Sequence, residues 1–235
     1  MTGQQGCFGF AVPPAREPLA AGAWLLRGFA LPWVGDVLPA LAAVVAEAPF
    51  RHMHTPGGSR MSVAMTNCGA LGWITDARGY RYVVDDPLRT APWPALPRAF
   101  ADLADAAADA AGHPGFVPDA CLVNRYEPGA GMALHQDRDE RDFAAPIVSV
   151  SLGLPATFRF GGFARTDPVL RCLLQHGDVV VWGGPSRLCF HGVSPLRDGE
   201  HALLGRCRVN LTLRTAGQGR SGALAFAPPP RIMPG

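Results

Sequence analysis

His135-Gln136-Asp137 and, far downstream, His191 are the residues of this 235-residue chain whose types and spacing could hold a metal ion. Positions two apart on an extended strand share a face, so His135 and Asp137 could reach one ion while Gln136 points away. With His191 they would supply two neutral imidazoles and one carboxylate and leave coordination positions open, the facial arrangement that suits Fe(II). The pattern His-x-Asp also arises by chance in surface loops, and a single histidine is more often a hydrogen-bonded structural residue than a ligand. A second pattern bears on the choice. Arg208-Val209-Asn210-Leu211-Thr212-Leu213-Arg214 alternates strictly, with Arg208, Asn210, Thr212 and Arg214 on one face and aliphatic side chains on the other. The polar face is either an outer surface with solvated arginines or an interior one, where guanidinium groups demand an anionic partner. Arginine captures carboxylates in a bidentate fork. A dicarboxylic 2-oxo acid could chelate the metal at one end and meet that fork at the other.

These residues need a rigid frame, and the hydrophobic periodicity indicates one that is mainly β with flanking helices. Helical spacing predicts a helix over residues 36–48, with Asp36 as N-cap and Pro39 in the first turn, and a second over 97–111 that stops at Gly112. From residue 120 the period changes to short β-rich runs at 120–126, 146–153, 156–160, 169–174, 178–182, 188–191 and 208–214, separated by Gly, Pro and Asp. Many short strands with turn signals favour a sandwich or barrel over alternating βαβ units, with the helices packed outside as supports. Residues 55–90 show little regular period but much Gly, Met, Tyr and Trp, which marks a functional segment. The division that follows is a loosely held arm (1–18), supporting helices and a lid (19–119), a core (120–216) and a flexible tail (217–235).

Composition narrows the setting. The chain carries a net charge of only +2, which neither requires nor excludes a nucleic-acid partner. Its six cysteines stand singly, without the close spacing of a zinc knuckle or redox pair, so a reduced intracellular protein is expected. No signal peptide and no membrane-spanning run is read from the sequence, and the expected compartment is the cytoplasm.

Several ordered motifs together carry a resemblance. They are Asn124-Arg125-Tyr126-x-Pro128-Gly129-Ala130, His135-Gln136-Asp137, Ser149-Val150-Ser151-Leu152-Gly153, Gly177-Asp178-Val179-Val180-Val181-Trp182, His191-Gly192 and Arg208-x-Asn210-Leu211-Thr212-x-Arg214. Upstream, Thr55-Pro56-Gly57-Gly58, Met61 to Gly69 and Leu71-Gly72-Trp73 extend them. From about Glu17 to Gly217 the chain resembles the AlkB family of DNA-repair dioxygenases. The resemblance implies a double-stranded β-helix (jelly-roll) core with an N-terminal nucleotide-recognition lid. It implies Fe(II) held by His135, Asp137 and His191, with 2-oxoglutarate as cosubstrate and O2 as oxidant. Arg208 would pair with the distal carboxylate of 2-oxoglutarate, Asn124 and Tyr126 would hydrogen-bond it, and Asn210 and Arg214 would line the same pocket. The implied reaction is demethylation of 1-methyladenine and 3-methylcytosine in alkylated single-stranded DNA, with double-stranded DNA or RNA as further substrates, by a monomer; the alternatives are the same chemistry on methylated RNA, tRNA or protein, or a catalytically silent jelly roll that binds nucleic acid. Trp73 would stack on the flipped base opposite His191. Met65, Tyr80, Arg81, Tyr82 and Arg165 would contact the nucleic acid, and Asp139 would meet the lesion's exocyclic amine. Without the resemblance, Met65, Trp73, Tyr80 and Tyr82 read as core or lid packing, and Asp139 as part of a solvated charged turn.

Overall fold

The computed structural model describes residues 16–217. Two strands, β1 (Arg16–Ala20) and β2 (Ala23–Leu26), precede helix α1 (Val34–Glu47). Then come β3 (Arg51–His54), β4 (Arg60–Gly69), the hairpin β5 (Gly72–Asp76) and β6 (Gly79–Val83), the short pair β7 (Asp85–Asp86) and β8 (Ala91–Pro92), and helix α2 (Arg98–Ala110). The rest of the fold is strand: β9 (Ala120–Tyr126), β10 (Met132–His135), β11 (Ile147–Gly153), β12 (Ala156–Phe160), β13 (Leu170–Leu174), β14 (Val179–Trp182), β15 (His191–Val193) and β16 (Arg208–Arg214). A major sheet of eight strands runs β1-β2-β14-β11-β16-β9-β4-β3, and a minor sheet of four runs β10-β15-β12-β13. All ladders among the named strands are antiparallel, and β5–β6 forms a sheet of its own.

Strand alternation splits the core into two layers. Val148, Val150, Val209, Leu211 and Leu213 of the major sheet pack against Val37, Leu41 and Val44 of α1 and Phe100, Leu103 and Ala107 of α2. Residues of the opposite parity, among them Leu122, Ile147, Val180 and Trp182, meet Phe158, Phe160 and Val193 of the minor sheet. This is the expected jelly roll with helices outside. The alternating 208–214 segment lies next to the centre of the major sheet, between β11 and β9, with all seven residues buried. Its polar face therefore looks into the sandwich.

Several expectations are corrected. Helix α1 begins at Val34 because a 3-10 turn, Leu31–Trp33, runs straight into it, and Trp33 occupies the N-cap. Asp36 consequently sits in the first turn, where its carboxylate meets the positive end of the helix dipole, and Pro39 falls inside the helix. Helix α2 ends as expected, with Gly112 taking φ +87°. Residues 55–90 are more regular than their sequence suggests. Strand β4 adds ten residues to the major sheet, its period hidden because each face mixes polar with apolar residues and both are buried from Met65 onward. With β1–β3 it draws the sheet's edges from the segment assigned to helices and lid, so the core is not confined to 120–216. The last residues of the expected arm, 16–18, belong to β1, while 1–15 and 218–235 lie outside the described residues. The run at 188–191 becomes strand only from His191. No helix among the described residues is long and apolar enough to cross a membrane.

One surface pair joins the sheets' connections. The rings of His176 and His201 lie 4.5 Å apart. The backbone N–H of Gly153 donates to His176 Nδ1 at 3.0 Å, so protonating that nitrogen breaks a bond that holds the β11–β12 turn. Burial and His201 hold His176 below the ordinary histidine range. A depressed folded pKa means that stability is full above the unfolded value and is lost as pH falls toward the folded one. The urea midpoint of the wild type is thus expected to drop more between pH 7.5 and 5.5 than that of His176→Asn; equal drops would refute this.

Candidate metal centre and adjoining cavities

His135 ends β10 and His191 begins β15, and the two are directly paired across that ladder. Their approach depends on Gly192, where a Cβ would come within 2.7 Å of the Met132 carbonyl oxygen on β10. Asp137 lies just past the strand end, outside any ladder, which corrects the expectation of one shared strand face. The ligand atoms of His135, Asp137 and His191 nevertheless all fall within 4.8 Å of one another. Asp137 Oδ1 is 3.6 Å from His135 Nε2, and Asp137 Oδ2 is 3.7 Å from His191 Nε2. Each imidazole has its Nδ1 on a backbone carbonyl, Ala133 at 2.9 Å and Cys189 at 3.1 Å. Those Nδ1–H bonds fix the tautomer and leave the Nε2 lone pairs free to ligate. Burial pushes the His191 imidazole down to about 3, with His135 adding to the shift, so it is neutral and ready to bind. Burial opposes ionisation of Asp137, but Arg214, His191 and His135 outweigh it and hold the carboxyl below its usual range. Two imidazoles and a carboxylate, with no thiolate among them, suit Fe(II).

Two cavities meet at this cluster. The inner one, about 50 Å³, runs between the sheets and is lined by Asn124, Tyr126, Trp182, His135, His191, Arg208, Asn210 and Arg214. Arg208 is 1% exposed, yet its Nε and Nη1 have no hydrogen-bond partner. Its Nη2 donates to Ser151 Oγ at 2.9 Å, and its guanidinium lies 5.0 Å from the centre of the Tyr126 ring. Asn124 Oδ1 and Trp182 Nε1 are likewise buried without partners. Orphaned buried polar atoms of this kind, donors or acceptors, cost free energy unless a ligand satisfies them. A cation without a counter-ion, facing the ligand histidines across a narrow cavity, fits the distal carboxylate of a 2-oxo diacid. Asn210 is fully engaged by the protein, donating Nδ2 to Ser149 Oγ and to the Val150 carbonyl at 2.8 and 2.9 Å. Arg214 is also committed, with Nε and Nη2 donating to Asp137 Oδ2 at 2.9 and 2.6 Å.

The outer cleft, about 530 Å³, opens above His135 and is lined by Met65, Trp73, Tyr80, Asp139 and Arg165 among others. Trp73 stacks on Tyr80 with ring centres 5.6 Å apart, and its Nε1 donates to Asp139 Oδ2 at 2.8 Å. The histidine that shares this cleft with Trp73 is His135; His191 is buried and lines the inner cavity, so it does not lie opposite Trp73 as expected. Arg165 donates to the Leu134 carbonyl at 2.5 Å and lies over Phe190. Two residues expected at the nucleic acid have partners within the protein. Arg81 pairs with Asp76 inside its own hairpin at 2.7 Å, and Tyr82 donates its hydroxyl inward to Glu140 at 2.7 Å. Glu140 and Arg187, buried beside Asp137, were not signalled by the sequence: one sits in a charged run and the other in a turn. A larger groove of about 750 Å³ lies along α1, remote from the ligand cluster.

Residues 36–214 match the 2OG-Fe(II) oxygenase superfamily. The chain is 58% identical over 205 residues to the alpha-ketoglutarate-dependent dioxygenase AlkB of Salmonella typhimurium, covering 87% of this chain and 95% of that one. The AlkB of Escherichia coli matches at the same identity and coverage. A solved structure of OsALKBH1 superposes with a TM-score of 0.75 at 28% identity, over 85% of this chain and 99% of the other. The chain belongs to the 2OG-Fe(II) oxygenase superfamily and, within it, to the AlkB dioxygenases, which take Fe(II), 2-oxoglutarate and O2.

Proposed function

We propose that this dioxygenase repairs DNA by oxidative demethylation of bases alkylated on the Watson–Crick edge, 1-methyladenine and 3-methylcytosine, preferably in single-stranded DNA. The observation that carries the proposal is the pair of cavities meeting at His135: one holds an unpaired guanidinium, the other an aromatic platform beside a carboxylate. Bound Fe(II), with 2-oxoglutarate and O2, supplies the oxidising equivalents for hydroxylating an N-methyl group and yields succinate and CO2. The chain's residues do the rest. His135, Asp137 and His191 hold the metal. Arg208 receives the distal carboxylate, and Asn124 and Tyr126 orient the cosubstrate, while Asn210 and Arg214 brace the pocket wall. Trp73, on the β5–β6 lid, stacks the extruded base over His135, and Met65 closes the floor. Asp139 favours these lesions because they are cationic. Tyr80 and Arg165 grip the flanking strand. The hydroxymethylated base then releases formaldehyde. A lesion that cannot pair costs less to flip than a sound base, which adds selectivity. The protein acts as a monomer in the cytoplasm.

Formaldehyde release from a 1-methyladenine oligodeoxynucleotide, beside matched RNA and a methylated peptide, tests the substrate; no release from DNA would refute it. Trp73→Ala is expected to raise the Kd for that oligonucleotide about 10- to 100-fold, since base–aromatic stacking contributes ~1–3 kcal/mol. An unchanged Kd in fluorescence anisotropy would remove Trp73 from the base site.

A further inference from the structure

Glu140 and Arg187 take no part in the scheme above, yet both are buried against the metal centre, with side chains 2% and 3% exposed. Arg187 donates Nη1 to the Asp137 backbone carbonyl at 2.8 Å, Nη2 to Glu140 Oε2 at 3.1 Å and Nε to the Ala145 carbonyl at 3.1 Å. Glu140 Oε1 lies 3.4 Å from Arg214 Nε. Asp137 is therefore gripped twice, at its backbone by Arg187 and at its carboxylate by Arg214, and Glu140 ties the two arginines together. The charges of Asp137 and Glu140 balance those of Arg187 and Arg214. Because Asp137 stands beyond the end of β10, no strand ladder sets its direction; this ionic group does. One bond runs from the group to the hairpin. The Tyr82 hydroxyl, carried on β6 of the lid hairpin, donates to Glu140 Oε1. The Trp73–Asp139 bond joins the same hairpin to the same loop.

We propose that Glu140 and Arg187 are positioning residues that aim the Asp137 ligand, and that the Tyr82 hydroxyl makes that aim depend on the seating of the lid. The inference rests on the reading of His135, Asp137 and His191 as the metal site and of β5–β6 as the lid over it. Linkage is reciprocal. If the seated hairpin stiffens the ligand, then metal and cosubstrate must in turn seat the hairpin.

The test uses the full chain with Mn(II) and 2-oxoglutarate, reading Mn(II) affinity from the electron paramagnetic resonance of free ion and amide hydrogen exchange across residues 72–83. In the wild type, Mn(II) with 2-oxoglutarate is expected to slow exchange in the hairpin. Tyr82→Phe keeps the ring and removes one hydroxyl. It is expected to lose that slowing and to weaken Mn(II) binding about 3- to 10-fold, the scale of single changes along a coupling network. Glu140→Gln is expected to weaken it about 10- to 100-fold, as loss of a ligand-orienting partner does. If Glu140→Gln does not fold, Arg187→Lys, which keeps the charge and loses the fork, takes its place with the same expectation. Wild-type affinity in the Glu140 or Arg187 variant would overturn the positioning role. Wild-type exchange slowing in Tyr82→Phe would overturn the link to the lid. A wild-type chain that binds no Mn(II) would instead overturn the metal reading beneath both.

Discussion

Asp137→Ala is expected to abolish turnover and to cost about 3–5 kcal/mol of stability, the usual penalty for removing one partner of a buried ion pair. His135→Ala is expected to abolish turnover equally while moving the unfolding midpoint little. Both substitutions remove a ligand, but the two side chains sit in different surroundings. Asp137 is the main counter-ion of the buried Arg214, which donates two hydrogen bonds to its Oδ2. Without it the guanidinium retains only the longer contact to Glu140. The His135 side chain is 39% exposed, opens to the cleft, and makes one hydrogen bond, to a carbonyl two residues away. Urea denaturation and formaldehyde release, measured on both variants, check this contrast. Equal destabilisation would mean that Asp137 is not the anchor of Arg214.

Arg208→Met is expected to do the opposite to stability. The wild-type side chain is a fully buried cation with two guanidinium nitrogens unsatisfied, and methionine fills a similar volume without that desolvation cost. The ligand-free variant should therefore unfold at the same or a higher temperature than the wild type. The loss appears with 2-oxoglutarate. In the presence of Mn(II), cosubstrate at 100 times its Kd should stabilise the wild type by about 2.7 kcal/mol, and the variant not measurably. Two charge-assisted hydrogen bonds at ~1.5–3 kcal/mol each place the rise in KM for 2-oxoglutarate at about 100-fold or more. A variant that kept the wild-type KM would relocate the carboxylate site.

The residues that carry chemistry were legible where a pattern repeats or a spacing is short. Strict alternation from Arg208 to Arg214 put the arginines on one face, though the choice between outer and inner face required the helices packed on Val209, Leu211 and Leu213. The ligand set was legible from His-x-Asp and one distant histidine. Strand β4 was not, because each of its faces mixes polar with apolar residues and both are covered in its C-terminal half. The partners of Tyr82 and Arg81 within the protein were not legible, because a hairpin's periodicity tells which residues share a face, not what lies opposite it. Arg81 found Asp76 across its own turn, and Tyr82 found a loop 58 residues away. Glu140 was hidden in Asp137-Arg138-Asp139-Glu140-Arg141-Asp142, where only the fold distinguishes the buried carboxylates from the solvated ones.

The β5–β6 hairpin shares no ladder with either large sheet. It reaches the major sheet through side-chain bonds instead, Asn67 of β4 with the Trp73 backbone and the Thr75 hydroxyl with the His54 carbonyl, so in the proposed function the part that would choose a base hangs on few contacts with the part that oxidises it. Only Trp73 and Tyr82 carry side-chain hydrogen bonds from the hairpin into the ligand loop. Under the proposed function, a transplanted hairpin that preserved those two anchors and the bonds to Asn67 and His54 is expected to bring a new base preference to an intact iron site. On that reading the fold separates address from reaction, and selection can revise one while leaving the other alone.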